Sequence, residues 1–409
     1  MYSLHLRRKA VLLLAVLLAF ALAACSKASA PETASSSVAY TPSPTGAASS
    51  SPGPASSGVR PSPSPSAKPT SSAPQGKVTA LRLADEKSGW AGGEGWIART
   101  DDGGKSWRTQ LEHPYVVNQL FALNGKEAWA AFDIGSSKAL RLMHTTDGGQ
   151  TWTEAGEMPG RGFLHFVSSK EAFSGNEHTT DGGRTWTRLN VPASIAGEAY
   201  FHDRSNGWAV AQKQSSGEFS VMRTTDGGHS WTAVFTRASA VPINGVVIRS
   251  AGSRDAWVQL IGDSGMSQTS YSLFHTADGG RSWTAVVANN QAGSGLAPGF
   301  KMDEKTTVPR NNGTAPGPLY VVNPKAAFMG GQCPACDLPN TIGKTTDGGR
   351  TWVNLPGEFA GYGPQLIAAA DADHVWRITT DNTAPSVLYT SSNGGKSWSK
   401  AHTFDKPKP

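Results

Sequence analysis

The sequence predicts an all-β fold, a seven-bladed β-propeller with four-stranded antiparallel blades, placed after a leader and a disordered linker. Three observations carry that expectation. The octapeptide TTDGGRTW stands at 179–186 and again at 345–352, with near copies TDDGGKSW, TTDGGQTW, TTDGGHSW, TADGGRSW and SSNGGKSW elsewhere. A small or aliphatic residue followed by an aromatic precedes every copy: Gly89-Trp90, Ala128-Trp129, Ala172-Phe173, Gly207-Trp208, Ala256-Trp257, Ala327-Phe328 and Val375-Trp376. No stretch of 77–409 sustains a helical period, whereas short β-branched and aromatic runs alternate with Gly, Asn, Asp and Ser.

The first unit shows the element order most compactly. VTALRLAD reads as one strand, GWAGG as a second, GWIART as a third and, after the DDGG turn, KSWRTQL as a fourth. The aligned turn positions Asp102, Asp147, Asp181, Asp226, Asp278, Asp347 and Asn393 are separated by 45, 34, 45, 52, 69 and 46 residues. Units of roughly 47 residues that cannot bury their apolar faces alone must stack on neighbours, and a ring of four-stranded blades does this with few exposed edges.

The repeated octapeptide reads as a hairpin clasp. Gly-Gly permits the positive φ of a tight turn. The preceding carboxylate can accept backbone N–H groups just ahead, and the Ser or Thr hydroxyl can bond back to it. The aromatics at Trp107, Trp152, Trp186, Trp231, Trp283, Trp352 and Trp398 then pack over the turn. A buried Trp removes about 200 Å² from water, gross about 5 kcal/mol before entropy is subtracted. Asn393 fits a structural role, since an amide oxygen still accepts such bonds while a catalytic or metal-ligating role would miss the charge.

Residues 1–24 read as a signal peptide: Arg7, Arg8 and Lys9 precede a 15-residue apolar run, AVLLLAVLLAFALAA. Leu22-Ala23-Ala24-Cys25 resembles a bacterial lipobox, which implies cleavage before Cys25 and a diacylglyceryl group on its sulfur. An ordinary cleaved signal with a chance cysteine is the alternative. Residues 25–76 are Ser-, Pro- and Ala-rich with few large apolar side chains, so they form a lipidated, disordered tether. Extended, it reaches about 160 Å; as a loose coil, about 40 Å. The folded domain is assigned to 77–405. The expected location is extracytoplasmic, lipid-anchored to a bacterial cell membrane.

The formal charge of +6 falls to +3 without the three basic leader residues. Lys27, Arg60 and Lys68 against Glu32 leave about +1 on the domain, which argues against nucleic acid as a partner. Cys333 and Cys336, in Cys-Pro-Ala-Cys, read first as a local disulfide in an oxidising compartment. A redox site would want the pair opening a helix, against which Pro339 argues, and a zinc site would need two further ligands. Both alternatives stay open. No cofactor or metal site is expected: the ten histidines are scattered, and DDGGKSW lacks the alternating ligands of a calcium loop.

The pattern [ST]-x-[DN]-G-G-x-[ST]-W resembles the Asp box, or BNR repeat, of sialidases, sortilin-type receptors and xyloglucan hydrolases. With G-W-A ahead of it, the fuller unit is most similar to the photosystem II stability and assembly factor family, over essentially all of 78–404. The resemblance implies a seven-bladed, extracytoplasmic, non-enzymatic fold that binds other proteins, and a monomer is expected. It does not carry that family's partner to this chain, because the box serves enzymes, receptors and assembly factors alike.

Two insertions depart from the minimal repeat, 289–318 and GGQCPACDLPN at 330–340. They are expected to cap the channel mouth, with Lys301, Asp303, Glu304, Lys305 and Arg310 as polar contacts. Arg161, Glu198, Tyr362 and Gln365, around the starts of first strands, are expected to point toward the channel. The Phe/Tyr-Arg-Ile-Pro motif of sialidases is absent, and xyloglucan hydrolases use two propellers where this chain has one. A glycoside hydrolase would need a carboxylate pair such as Asp303 with Glu304 or Asp371 with Asp373. A carbohydrate or cell-wall binder would need exposed flat aromatics such as Tyr115, Tyr271 or Tyr362. A non-catalytic protein-binding or assembly scaffold is the favoured reading over both.

Overall fold

The computed structural model describes residues 76–405, apart from 136, 137, 214–216, 266, 292, 294, 303, 305, 306, 334–338, 358, 360–363 and 381–383. The leader, the tether with Cys25, and Asp303, Lys305, Cys336 and Tyr362 therefore lie outside the described residues. What is described is an all-β propeller built from antiparallel meanders.

The first sheet has six strands: β1 (Val78–Leu83), β2 (Gly89–Thr100), β3 (Arg108–Ala122), β4 (Ala128–Asp133), β5 (Leu140–Thr145) and β6 (Thr153–Met158). Five four-stranded sheets follow. The second holds β7 (Leu164–Phe166), β8 (Ala172–Ser174), β9 (Glu177–Thr179) and β10 (Thr187–Arg188). The third holds β11 (Tyr200–Phe201), β12 (Gly207–Lys213), β13 (Glu218–Thr224) and β14 (Thr232–Ala238). The fourth holds β15 (Gly245–Arg249), β16 (Ala256–Ser264), β17 (Thr269–Thr276) and β18 (Thr284–Asn289). The fifth holds β19 (Ala315–Val321), β20 (Ala327–Gln332), β21 (Thr341–Thr345) and β22 (Val353–Asn354). The sixth holds β23 (Gln365–Ala369), β24 (Val375–Thr379), β25 (Val387–Ser391) and β26 (Ser399–Thr403).

Six hydrogen-bonded sheets thus stand where seven separate ones were expected. The cause is local. β2 runs on through Gly95, whose φ of 96° lets one strand pair with β1 over its first half and with β3 over its second. β3 stays extended through His113-Pro114-Tyr115, with no Gly or Asn among those three, and pairs with β2 and then β4. The clasps at Asp102 and Asp147 consequently share one sheet.

Each clasp is made as the residue types require. Asp181 Oδ1 accepts the Arg184 and Thr185 N–H groups, both at 3.0 Å, and Oδ2 accepts the Thr185 hydroxyl at 2.6 Å. Thr179 Oγ1 donates to Asp181 Oδ1 and accepts the Gly183 N–H at 3.0 Å. The Oδ1 bond to the N–H four residues on and the Oδ2 bond to its hydroxyl recur at Asp102, Asp147, Asp226, Asp278 and Asp347. At Asn393 the amide inverts one bond: Nδ2 donates to Ser397 Oγ at 2.8 Å, while Oδ1 still accepts the Ser397 N–H at 3.0 Å. Burial would raise the Asp181 carboxyl, but the Thr185 hydroxyl and amide and the Thr179 hydroxyl outweigh it and hold the group at about 2. The clasp tryptophans divide in their use. Trp107, Trp186 and Trp283 donate to the second clasp glycine of their own turn, whereas Trp231 reaches Asn190 O and Trp352 reaches Asn311 Oδ1.

The apolar core is divided around the ring. One cluster joins the third and fourth sheets through Trp208, Phe219, Val258 and Phe274, and others join the remaining neighbours. A cluster centred on Trp90, Val117 and Phe132 lies between the two halves of the first sheet. The ring closes where Val78, Trp96 and Trp107 meet Trp376, Leu388 and Phe404 of the last sheet.

A basic side chain stands immediately before six of the clasps, and three of the six, Arg99, Arg223 and His275, tie neighbouring units together. Arg99 lies over the Trp90 ring at 4.5 Å and donates to Gly125 O at 2.7 Å. Arg223 covers Trp208 and donates to Gly279 O at 3.2 Å. His144 and His178 stack on Trp129 and Phe173 and bond Glu127 and Glu171. His275 stacks on Trp257 with 3.8 Å between centroids, its Nε2 2.8 Å from Asp255 Oδ1 and its Nδ1 2.9 Å from Gly348 O. A carbonyl can only accept, so Nδ1 carries a proton there. Lys344 stands 6.0 Å from the Phe328 ring.

Candidate binding site in the central channel

The seven second-strand aromatics each face one residue of an inner strand across the sheet, always eight positions earlier in the chain. The register pairs Arg82 with Trp90, Phe121 with Trp129, His165 with Phe173 and Tyr200 with Trp208. It also pairs Arg249 with Trp257, Tyr320 with Phe328 and Ala368 with Trp376. Five of these inner residues touch one another around the ring. The Arg82 guanidinium covers Phe121 at 4.5 Å, Phe121 meets His165 edge-on at 5.8 Å, and His165 packs against Tyr200 at 5.4 Å. Across the small Ala368 position, Arg82 also faces Tyr320 at 5.8 Å.

This tier borders a central cavity of about 450 Å³ that the strands β1, β3, β11, β15, β19 and β23, together with His165 of β7, enclose. A second cavity of about 320 Å³, lined by Arg161, Phe163, His165, Glu198, Tyr200 and Arg249 among others, adjoins it and shares several of those residues. Gln119 is held on the wall by donating to Gly162 O at 2.8 Å and accepting the Leu164 N–H at 2.9 Å. Tyr200 donates its hydroxyl to Ser250 O at 3.2 Å, and Gln259 donates to the Met329 sulfur at 3.1 Å.

The electrostatics of the tier are cationic. Burial draws the Arg249 guanidinium down to about 10, with Tyr200 and Glu198 opposing and Arg82 adding to the effect. Burial also draws His165 down to about 4, opposed by the His202 carbonyl and aided by Arg82, so the ring is neutral at pH 7. It pushes Tyr200 up to about 12. Arg249 lies 3.6 Å over the Phe163 ring and donates to Ile248 O. Arg82 Nε is buried without a hydrogen-bond partner among the described residues.

Of the positions singled out in the sequence, Arg161 and Glu198 line the smaller cavity. Arg161 is exposed and donates to Asp133 Oδ2 at 2.6 Å, a bond that holds the Asp133 carboxyl below its ordinary range. Gln365 is buried: it accepts Arg377 Nε at 3.0 Å and donates to Gly331 O at 2.9 Å. Arg377 itself is fully buried against the Phe359 ring at 3.6 Å, and burial lowers its guanidinium to about 9.

The insertion at 289–318 packs along strands of the third and fourth sheets. Phe300 is buried beside Phe274, its carbonyl accepts the Ala240 N–H at 2.9 Å, and Gly299 N–H donates to Ser239 Oγ. Glu304 pairs there with Arg237, and Lys301 and Arg310 are exposed on the same segment. Lys301, Glu304 and Arg310 do not border either channel cavity. Cys333 is buried and disulfide-bonded. Asp371 is engaged with its own loop, accepting the Asp373 and His374 N–H groups at 2.7 Å. Tyr271 is fully buried and Tyr115 half-buried against His113. Among the described residues no cluster of three or more His, Cys, Asp or Glu is placed to hold a metal ion.

No family model matches the chain, and no curated protein matches it significantly. Solved structures do. The chain is similar to the GH74 xyloglucanase from Xanthomonas campestris, with a TM-score of 0.52 at 13% identity over 82% of this chain and 55% of that one. It is also similar to a prolyl endopeptidase (TM-score 0.50, 12% identity, 82% of this chain and 51% of that one). A YCF48 bound to D1 peptide aligns over 78% of this chain and 92% of its own, at 15% identity and a TM-score of 0.42. At these identities the likeness to the xyloglucanase establishes the propeller fold and leaves activity open.

Proposed function

We propose that this chain is a membrane-tethered, extracytoplasmic, non-catalytic propeller whose channel mouth binds another protein. The observation that carries this reading is the composition of the channel wall. It presents arginines, aromatic rings and amides, with Glu198 the one carboxylate among the described residues bordering the two cavities. Glycoside hydrolysis wants two facing carboxylates, whereas guanidinium and aromatic groups are the side chains most enriched in protein-binding hot spots. The clasp carboxylates are occupied by their own turns, and Tyr271 is buried, which weighs against the polysaccharide alternative. Seven clasps, an apolar cluster between every pair of neighbours and inner strands bordering one cavity support counting the ring as seven units, with the first sheet contributing two. Anchoring rests on the lipobox resemblance at Cys25.

The test is site-specific photocrosslinking in the native cells, with the crosslinker at Phe163 in the mouth or at Lys105 on the clasp rim. Proteins captured from Phe163 but not from Lys105 support the scaffold reading. Equal capture from both, or release of reducing ends from wall polysaccharide by the purified chain, overturns it. Cys25→Ala is expected to move the protein from the membrane to the soluble fraction.

A further inference from the structure

The central tier contains two guanidinium groups, Arg82 of β1 and Arg249 of β15, that border one cavity and form no ion pair among the described residues. Arg82 adds a small part to the lowering of the Arg249 guanidinium, and both arginines help to lower His165. Each stands over an aromatic ring, with Arg82 4.5 Å from the Phe121 centroid and Arg249 3.6 Å from that of Phe163, which holds the side chain against the wall. Two half-buried like charges bordering one cavity, with Glu198 beside Arg249 as the one carboxylate among the described lining residues and no ion pair formed to it, are unfavourable in the empty protein, and an incoming anion reduces that cost. Two forked donors beside apolar and aromatic walls favour a singly charged two-oxygen acceptor over the more strongly hydrated phosphate dianion. The smaller cavity that opens beside Arg249 gives such a group a route to the mouth.

We infer that the channel is a carboxylate-binding site in which Arg82 and Arg249 hold the two oxygens, with Tyr200 and Tyr320 forming its aromatic sides. The cavity of about 450 Å³ accommodates either a small organic acid or one acidic side chain reaching in from a docked protein. The inference stands independently of the protein-binding reading, because the site selects a chemical group and not the molecule that carries it.

Isothermal titration of the purified full-length chain decides it, with glutarate as the free-acid probe and N-acetylglutamate amide as the peptide-borne probe. N-acetylglutamine amide and inorganic phosphate are the comparators. Both carboxylates, or one of them, are expected to bind at least tenfold more tightly than either comparator, and whichever is tighter identifies the source. Arg82→Gln and Arg249→Gln are each expected to weaken binding tenfold or more, while Arg188→Gln leaves it unchanged. Should an arginine variant fail to fold, the His165 imidazole titration in the unmodified protein decides alone. A carboxylate seated in the tier raises the His165 pKa, and an unaltered titration with saturating probe overturns the site. Phosphate binding as tightly as the carboxylates overturns the assignment, as does the absence of binding by both carboxylates at millimolar concentration.

Discussion

Replacing Asp181 separates the two things a clasp carboxylate does, which are to accept backbone N–H groups and to carry charge. The fall from 3.8 to about 2 corresponds to about 2.4 kcal/mol of preference for the ionised form. The group is partly exposed, so solvent screening reduces this to about 1 kcal/mol of stability. Asp181→Asn keeps an acceptor for the Thr185 N–H and reverses the hydroxyl bond, as Asn393 does, so it is expected to cost about 1 kcal/mol. Asp181→Ala also abandons the amides of Arg184 and Thr185 and is expected to cost about 2 kcal/mol. In thermal unfolding at pH 7 this means shifts of about 2 and 4 °C. The pH dependence has a definite sign. A carboxylate with a depressed folded pKa stabilises above its unfolded value of 3.8, and that contribution is lost as pH falls through about 2. The Asn variant is therefore expected to converge on the wild type as pH falls from 4 to 2, while the Ala variant keeps the part of its loss that comes from the abandoned amides. Equal losses for Asn and Ala at pH 7 would show that accepting the two amides adds nothing beyond the charge, and an unchanged gap between Asn and wild type at pH 2 would show that the charge is irrelevant to the turn.

Arg99→Met removes both the cover over Trp90 and the bond to Gly125 O, and is expected to lower stability by about 2 kcal/mol, against about 0.5 or less for exposed Arg188→Met, measured by chemical denaturation. His165 is held neutral by the fold, with its pKa lowered from 6.5 to about 4, so its contribution is intact above pH 6.5 and lost as pH falls toward 4. At pH 5 the loss reaches at most about 2 kcal/mol, and His165→Gln is expected to flatten the stability profile between pH 6.5 and 4. Gly349→Ala places a Cβ 2.3 Å from Val286 Cγ2 at a φ of 83° and is expected to cost about 3 kcal/mol. Gly348→Ala, whose nearest neighbour would be 3.5 Å away, is expected to cost about 1 kcal/mol, and equal effects in calorimetry would refute the packing argument.

The clasps were legible because every group they need lies within eight residues, and Gly-Gly with an acceptor and a hydroxyl admits few other conformations. The number of sheets was not. It depends on whether His113-Pro114-Tyr115 bends or runs straight, and nothing local forces a bend. The basic residues before the clasps, Arg99, His144, His178, Arg223, His275 and Lys344, were equally visible as letters. Their partners are carbonyls and carboxylates elsewhere in the chain, such as Gly348 for His275, which no local pattern names. The same holds for the channel. Arg161 and Glu198 were read at its mouth, but Arg82, His165, Tyr200 and Arg249 lie within the inner strands, where alternation alone assigns them to a wall without saying what the wall encloses. Their constant offset of eight from the second-strand aromatic is the signal that could have found them.

That offset also explains how one repeat serves stability and recognition without conflict. The aromatic side of each register pair is invariant in kind, Trp or Phe, because it fills the space between neighbouring units and loses large apolar area if trimmed. The facing inner position meets the channel, so its size and charge are less constrained by packing, and the seven register pairs place Arg, Phe, His, Tyr, Arg, Tyr and Ala there. A ring repeated for structural reasons thereby presents a non-repeating inner wall. Specificity in this molecule is expected to follow substitutions at those seven positions, while substitutions at their aromatic partners register as loss of fold.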